Sequence, residues 1–283
     1  MKFGLTFVNA AAPGRDAAIG LAQAAEAAGF ESLWTVEHVV VPKGYGSTYP
    51  YSRSGKMAGG DDTFDSPDPL VWLAFVAGVT SKIRLATGIV ILPQRNPLIL
   101  AKAVASLDVL SSGRVTLGVG VGWLEEEFKA LSIPFADRGR RTDEYIAVLR
   151  TLWTEELASF RGEFVEFDEV YSRPMPIQRP IPIVIGGHSP RAARRAGELG
   201  DGFFPASAAW EEIPGLIVIA RQAAEDAGRD PSELEITMGA RPSRQQAEAL
   251  AMAGLDRMVV SGYLDLETLT EFAAEVMPDF AEA

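Results

Sequence analysis

Ile83 to Pro97 reads IRLATGIVILPQRNP, and one helix-length later Arg114 to Trp123 reads RVTLGVGVGW. Each is a near-continuous apolar run, the pattern of a strand buried on both faces of a parallel sheet. Each carries glycine where the strand should end: Gly88 in the first, Gly118, Gly120 and Gly122 in the second. Glycine in a strand marks a bulge or a close approach by a ligand or another backbone. Two readings stay open on spacing alone. A flat ligand lies across the tops of adjacent parallel strands, or the glycines serve only tight packing of the two strands.

Outward from this pair, strands and helices alternate along the chain. Phe3 to Val8 reads as strand one, followed by a helix from Arg15 to Ala28 that stops at Gly29. Ser32 to Val36 is strand two, and a helix spans Pro69 to Thr80. The quoted strands are third and fourth, with a helix from Pro97 to Leu110 between them. A short helix at Leu124 to Leu131 and a long one at Arg138 to Trp153 follow. Strands five to eight are Ile181 to Ile185, Asp201 to Phe204, Leu234 to Gly239 and Arg257 to Val260, each leading into a helix. Ser189 and Pro190 open the first of those helices, as cap and first helical residue.

Two stretches break the rhythm. Pro42 to Asp68 is polar and glycine-rich, and a loop of that length is functional or disordered. Glu155 to Arg179 holds a small hairpin around Phe160 to Phe164, then an extended connector rich in proline. Eight strand–helix units predict one α/β domain over residues 1–283, a (β/α)8 TIM barrel with a short insertion before strand five. An open dinucleotide-binding sheet fits less well, because the first strand–helix turn, NAAAPGR at Asn9 to Arg15, lacks GxGxxG. In a barrel the function sits at the C-terminal ends of the strands.

Composition narrows the chemistry. The net charge of −12 and 47% hydrophobic content describe a well-cored acidic protein, a poor partner for nucleic acid. With no cysteine and only His38 and His188 as imidazoles, disulfides, thiolate nucleophiles and multi-histidine metal sites are excluded, and no metal is expected. Leu70 to Val79, the densest apolar stretch, is too short to span a bilayer. MKFGLTFV runs straight into a strand without a signal-peptide pattern, so a soluble cytoplasmic protein is expected. No lysine stands at a strand end, which disfavours a Schiff-base aldolase.

Several runs together resemble the bacterial luciferase-like flavin enzymes. They are the opening strand, Glu37–His38 at the end of strand two, ATGIVILPQRNP, RVTLGVGVGW, RGRRTDEYIAVLRTLW, and IPIVIGGHSPRAARRAGELGDGFF. The likeness covers Met1 to Phe204 plus the last strand, and is nearest to the branch that uses the deazaflavin coenzyme F420. It implies a bulge at Gly88–Ile89–Val90, often with a cis peptide, propping the flavin ring from behind. It implies His38 beside the cofactor as a proton-transfer group, with Glu37 as a weaker ring contact. It puts the cofactor phosphate at Gly186–Gly187–His188, where glycine and free N–H groups at a helix start favour an anion. It puts Gly120–Val121–Gly122–Trp123 on the other side of the ring.

One departure matters. Sugar-phosphate dehydrogenases of that branch carry an acidic proton donor where Trp123 falls, and tryptophan instead walls off or stacks on an apolar substrate. Glu125, Glu126 and Glu127 read as a solvated helix start. Arg95–Asn96 reads as a structural turn at least as well as a ligand contact, and Arg138, Arg140 and Arg141 as phosphate partners or helix-start charges.

The resemblance therefore implies hydride transfer between coenzyme F420 and a small-molecule substrate, with the Pro42–Asp68 loop as a lid. A second reading is a monooxygenase using reduced FMN and oxygen with a partner flavin reductase. A third is a non-catalytic flavin carrier. A homodimer, without nucleic acid or membrane as partner, is expected.

Overall fold

The apolar runs pair side by side, all parallel, in a computed structural model that describes residues 1–57, 62–206 and 210–280. The strands are β1 (Lys2–Thr6), β2 (Ser32–Thr35), β3 (Arg84–Thr87), β4 (Val90–Ile91), β5 (Val115–Gly120), β6 (Ala158–Arg161), β7 (Glu166–Val170), β8 (Ile183–Gly187), β9 (Gly202–Pro205), β10 (Glu235–Gly239) and β11 (Arg257–Ser261). The ring runs β1–β2–β3–β5–β8–β9–β10–β11 and closes where Lys2 lies opposite Arg257 and Thr6 opposite Ser261. This is the closed eight-stranded α/β barrel expected from the alternation. The two-residue β4 continues β3 and pairs Val90 with Val119 and Ile91 with Gly120.

Most of the core lies between the barrel and its helices. There strand residues such as Leu33, Leu85, Leu117 and Ile183 meet helix residues such as Leu73, Val104 and Leu149, all essentially inaccessible to water. Each fully buried side chain of this size contributes about 1.5–3 kcal/mol. A second cluster, Trp34, Ala86, Val184 and Val259 with Phe204 against it, draws on five strands and no helix, and so fills the barrel's interior. Proline and cap residues set the helix starts: Asp68 before Pro69, Asn96 before Pro97, and Ser189 before Pro190 each accept from backbone N–H groups of the first turn.

Three elements differ from the sequence reading. Strand one ends at Thr6: Phe7 takes a left-handed φ of 61° and Val8–Ala11 forms one helical turn. Val8, Asn9 and Ala10 are buried there, and a short apolar run looks the same as strand or as buried helix. Strand three is interrupted at Gly88–Ile89, whose peptide is cis. In the insertion, Phe160–Phe164 is the turn end of the hairpin. The paired strands, β6 and β7, extend away from it, and Glu144 gathers the N–H groups of Glu163, Phe164 and Val165.

Candidate active site

The C-terminal ends of β2, β3, β5, β8 and β11 open into a cleft of about 1450 Å³. That is larger than the roughly 300–1,000 Å³ of most small-molecule sites. Gly88 and Ile89 lie on its surface. Gly118 and Gly120 of β5, and Gly186 of β8, are explained by what surrounds them. A Cβ on Gly120 would stand 1.8 Å from Ile89 Cδ1, one on Gly186 would stand 2.7 Å from Ile89 Cγ2, and one on Gly118 would stand 1.8 Å from the Thr87 carbonyl oxygen. The packing reading of Gly118 and Gly120 therefore holds: they make room for the bulge and its side chain, and it is the bulge that faces the cleft. Val90 and Gly120 do not line it. Val90 is fully buried in the main core, and Gly120 lies behind Ile89.

His38 stands on the cleft wall, following β2. Its Nδ1 lies 3.1 Å from Oε2 of Glu127, a carboxylate with only 1% of its side chain exposed. The other carboxylate oxygen accepts from the backbone N–H groups of Val39 (2.6 Å) and Val40 (3.2 Å). A carboxylate only accepts, so Nδ1 carries the proton and Nε2 is the ring nitrogen left for the cleft. The expectation that Glu125–Glu127 form a solvated face fails for Glu127. The missed signal is periodicity: Leu124, Glu127, Phe128 and Leu131 recur at the spacing of one helical stripe, and Glu127 falls inside it.

An aromatic chain crosses the mouth. Trp123 meets His38, Tyr45 and Tyr49 edge to face with centroids 5.8, 5.4 and 5.1 Å apart. Tyr49 meets Tyr51, and Tyr51 meets His188. Burial pushes the Tyr51 phenol up to about 12, with Tyr49 adding to it, so it stays protonated. These tyrosines belong to the long loop after β2, of which residues 58–61 lie outside the described residues.

That loop is tied down at both ends. Asn9, wholly buried, accepts from Val36 N–H and donates to the carbonyls of Val36 and Pro67. Glu37 and Asp68 share Arg95, whose Nε donates to Glu37 at 2.8 Å and Nη2 to Asp68 at 2.6 Å. Burial pushes the Glu37 carboxyl up, against the pull of Arg95 and of the Ile91 N–H. Burial also raises Asp68, but Arg95 and the N–H groups of Leu70 and Val71 outweigh it and hold that carboxyl below its ordinary value. Glu37 thus lines the cleft with its carboxylate committed to the loop anchor, and Arg95–Asn96 is the structural turn of the two readings. Glu126 fastens the loop's middle: it accepts from Ser47 Oγ (2.7 Å) and from the N–H groups of Gly46 and Ser47. The Ser47 hydroxyl, with these N–H groups, lowers its carboxyl to about 2.

At the far end, Gly186, Gly187 and His188 lead into the helix Pro190–Leu199. Gly187 has φ of 154°, a conformation that side chains rarely adopt, and a Cβ there would stand 2.5 Å from Ala192 Cβ. Partial burial lowers the His188 imidazole, opposed by Glu212. Arg191, Arg194 and Arg195 of that helix line the cleft, as do Arg140 and Arg138, the last against the Gly122 carbonyl. The tertiary structure therefore brings Glu37, His38, Gly88, Ile89, Val121, Gly122, Trp123, Gly186, Gly187 and His188 to one surface. Among the described residues no cluster of three His, Cys, Asp or Glu could hold a metal, and no helix is long and apolar enough to cross a membrane.

A family model described as luciferase-like monooxygenase matches residues 1–280. The chain belongs to that family. It is 30% identical over 249 residues to an F420-dependent glucose-6-phosphate dehydrogenase of Kineococcus radiotolerans, covering 85% of this chain and 67% of that one. Among solved structures it is similar to the monooxygenase RslO1 of Streptomyces bottropensis, 25% identical, with TM-score 0.76 over 99% of this chain and 100% of that one. An F420-dependent secondary alcohol dehydrogenase, solved with an F420–acetone adduct, shares the fold at TM-score 0.79 and 20% identity over 99% of both chains. The relatives are thus oxidoreductases of both the deazaflavin and the monooxygenase kind.

Proposed function

We propose that this protein is an F420-dependent oxidoreductase acting on a small, uncharged carbonyl compound or alcohol. The observation that carries the reading is the layout of the cleft. It has a bulge at Gly88–Ile89, a wall of His38 and Trp123, and a cationic end beyond Gly186–Gly187, a shape and polarity that fit a flat ring with an anionic arm. Bound there, the deazaflavin supplies or accepts the hydride.

The remaining chemistry falls to the chain. His38, protonated, donates from Nε2 to the oxygen of a carbonyl being reduced, and takes that proton back in the reverse direction. Glu127 touches no substrate; it orients the ring and stabilises the imidazolium through Nδ1. Trp123 and Phe64, both set edge-on to His38, shield the reacting centre from water and favour an apolar substrate. Trp123 supplies no titratable group at this wall, so proton transfer to or from the substrate falls to His38.

The test is a fluorescence titration of the purified protein with coenzyme F420 and with FMN. Tight binding of coenzyme F420 and weak binding of FMN is the expected outcome. The reverse would replace this reading with the FMN- and oxygen-using one, toward which the likeness to RslO1 points. Tight binding without turnover on a broad panel of carbonyls and alcohols would leave a flavin carrier.

A further inference from the structure

The five arginines of the cleft are not equivalent. Arg140 is neutralised by Glu163, and Arg195 by Asp143. Arg138 donates to the carbonyls of Gly122 (3.2 Å) and Phe135 (3.0 Å) and lies 3.7 Å over the Phe135 ring. Arg191 and Arg194 are exposed and have no hydrogen-bond or ion-pair partner among the described residues. They stand three residues apart on the helix Pro190–Leu199, so their side chains are neighbours. Like charges at that spacing repel, and Glu198, one turn beyond Arg194 on the same cleft wall, forms no ion pair with either among the described residues, so in a chain of net charge −12 the pair is not a by-product of composition.

We infer that Arg191 and Arg194 receive a polycarboxylate arm of the bound ligand that continues past its phosphate. The inference rests on the cofactor reading above and sharpens it. FMN ends at its phosphate, whereas coenzyme F420 continues beyond its phosphodiester into a chain of glutamates. Arg194 lies five residues beyond the Ser189 cap, about 7 Å along the helix axis, too far to be served by one phosphate held at the Gly187–Ser189 turn. The guanidinium fork suits carboxylates presented one after another. Elsewhere on the cleft wall, Phe7, Phe64 and Tyr263 offer an anion no cationic partner.

The experiment compares three ligands by fluorescence titration of the full chain: the deazaflavin–ribityl fragment without phosphate, coenzyme F420 lacking glutamates, and coenzyme F420 carrying several. Each is titrated against the wild type and an Arg191→Gln/Arg194→Gln double variant. Two exposed ion pairs predict that the glutamate-bearing form binds the wild type about threefold to thirtyfold more tightly than the glutamate-free form. That gap should close in the double variant and in roughly 0.5 M salt. Unchanged binding of the phosphate-free fragment by the double variant also reports its correct folding. Equal affinity of the two forms for the wild type overturns the inference while leaving the cofactor reading intact. A gap that survives in the double variant overturns the assignment to these arginines. Binding of none of the three ligands overturns the cofactor reading and this inference together.

Discussion

Replacing Glu127 by glutamine should move a proton on His38. In the wild type one carboxylate serves three donors: His38 Nδ1 at 3.1 Å, Val39 N–H at 2.6 Å and Val40 N–H at 3.2 Å. Glutamine keeps one oxygen, and the two backbone donors claim it. The amide nitrogen then faces His38 Nδ1, donor against donor, unless the imidazole shifts its proton to Nε2 and accepts instead. Bonds to a charged acceptor contribute about 1.5–3 kcal/mol and neutral ones about 0.5–1.5, so three exchanges come to at most about 3–4.5 kcal/mol. Val39 and Val40 are 47% and 44% exposed, and water compensates part of the loss. The expected destabilisation is therefore about 1–2 kcal/mol, with the fold retained.

With only His38 and His188 in the chain, a nitrogen-15 spectrum of labelled imidazoles resolves the tautomer directly. In its neutral form the wild-type His38 should be protonated at Nδ1, and in Glu127→Gln it should be protonated at Nε2. Turnover should fall by about tenfold to a hundredfold, part of the 10²–10⁴ that a positioned acid–base group supplies. A His38 tautomer that is the same in both proteins would refute the reasoning, whatever happens to activity.

The bulge makes a second prediction. Gly120→Ala should lower stability by about 1–3 kcal/mol, because its Cβ meets Ile89 Cδ1. Ile89→Val removes that methyl, so the double variant should recover most of the loss in urea unfolding; additive losses would mean that the clash is not the cause. The loop anchor makes a third. The folded-state value of Glu126 lies below its ordinary 4.5, so its stabilisation is fully present above that pH and is lost as the pH falls through about 2. Thermal midpoints of the wild type and Glu126→Gln should therefore differ most above about pH 5 and converge toward pH 2. A gap that is constant across this range would place the contribution of Glu126 somewhere other than its charge.

The barrel was legible in the chain because its signals are local. Apolar runs, helix caps at Asp68, Asn96 and Ser189, and glycine or proline punctuation each act over a few residues, and eight such units leave few architectures open. The strand ends were legible for the same reason, since parallel closure carries every C-terminal end to one rim. What Glu127 does was not legible. Its partners lie 87 to 89 residues away, and only the docking of its helix against the loop after β2 turns an acid in a charged run into the group that orients His38. The glycines were ambiguous because a ligand and an isoleucine side chain require the same missing Cβ, and Ile89 resolves Gly120 by occupying the space. Arg140, Arg191, Arg194 and Arg195 are four similar cations in sequence. Packing alone gives two of them carboxylate partners and leaves two facing the cleft, because an ion pair between segments depends on where the fold carries each chain segment and not on which residues precede it.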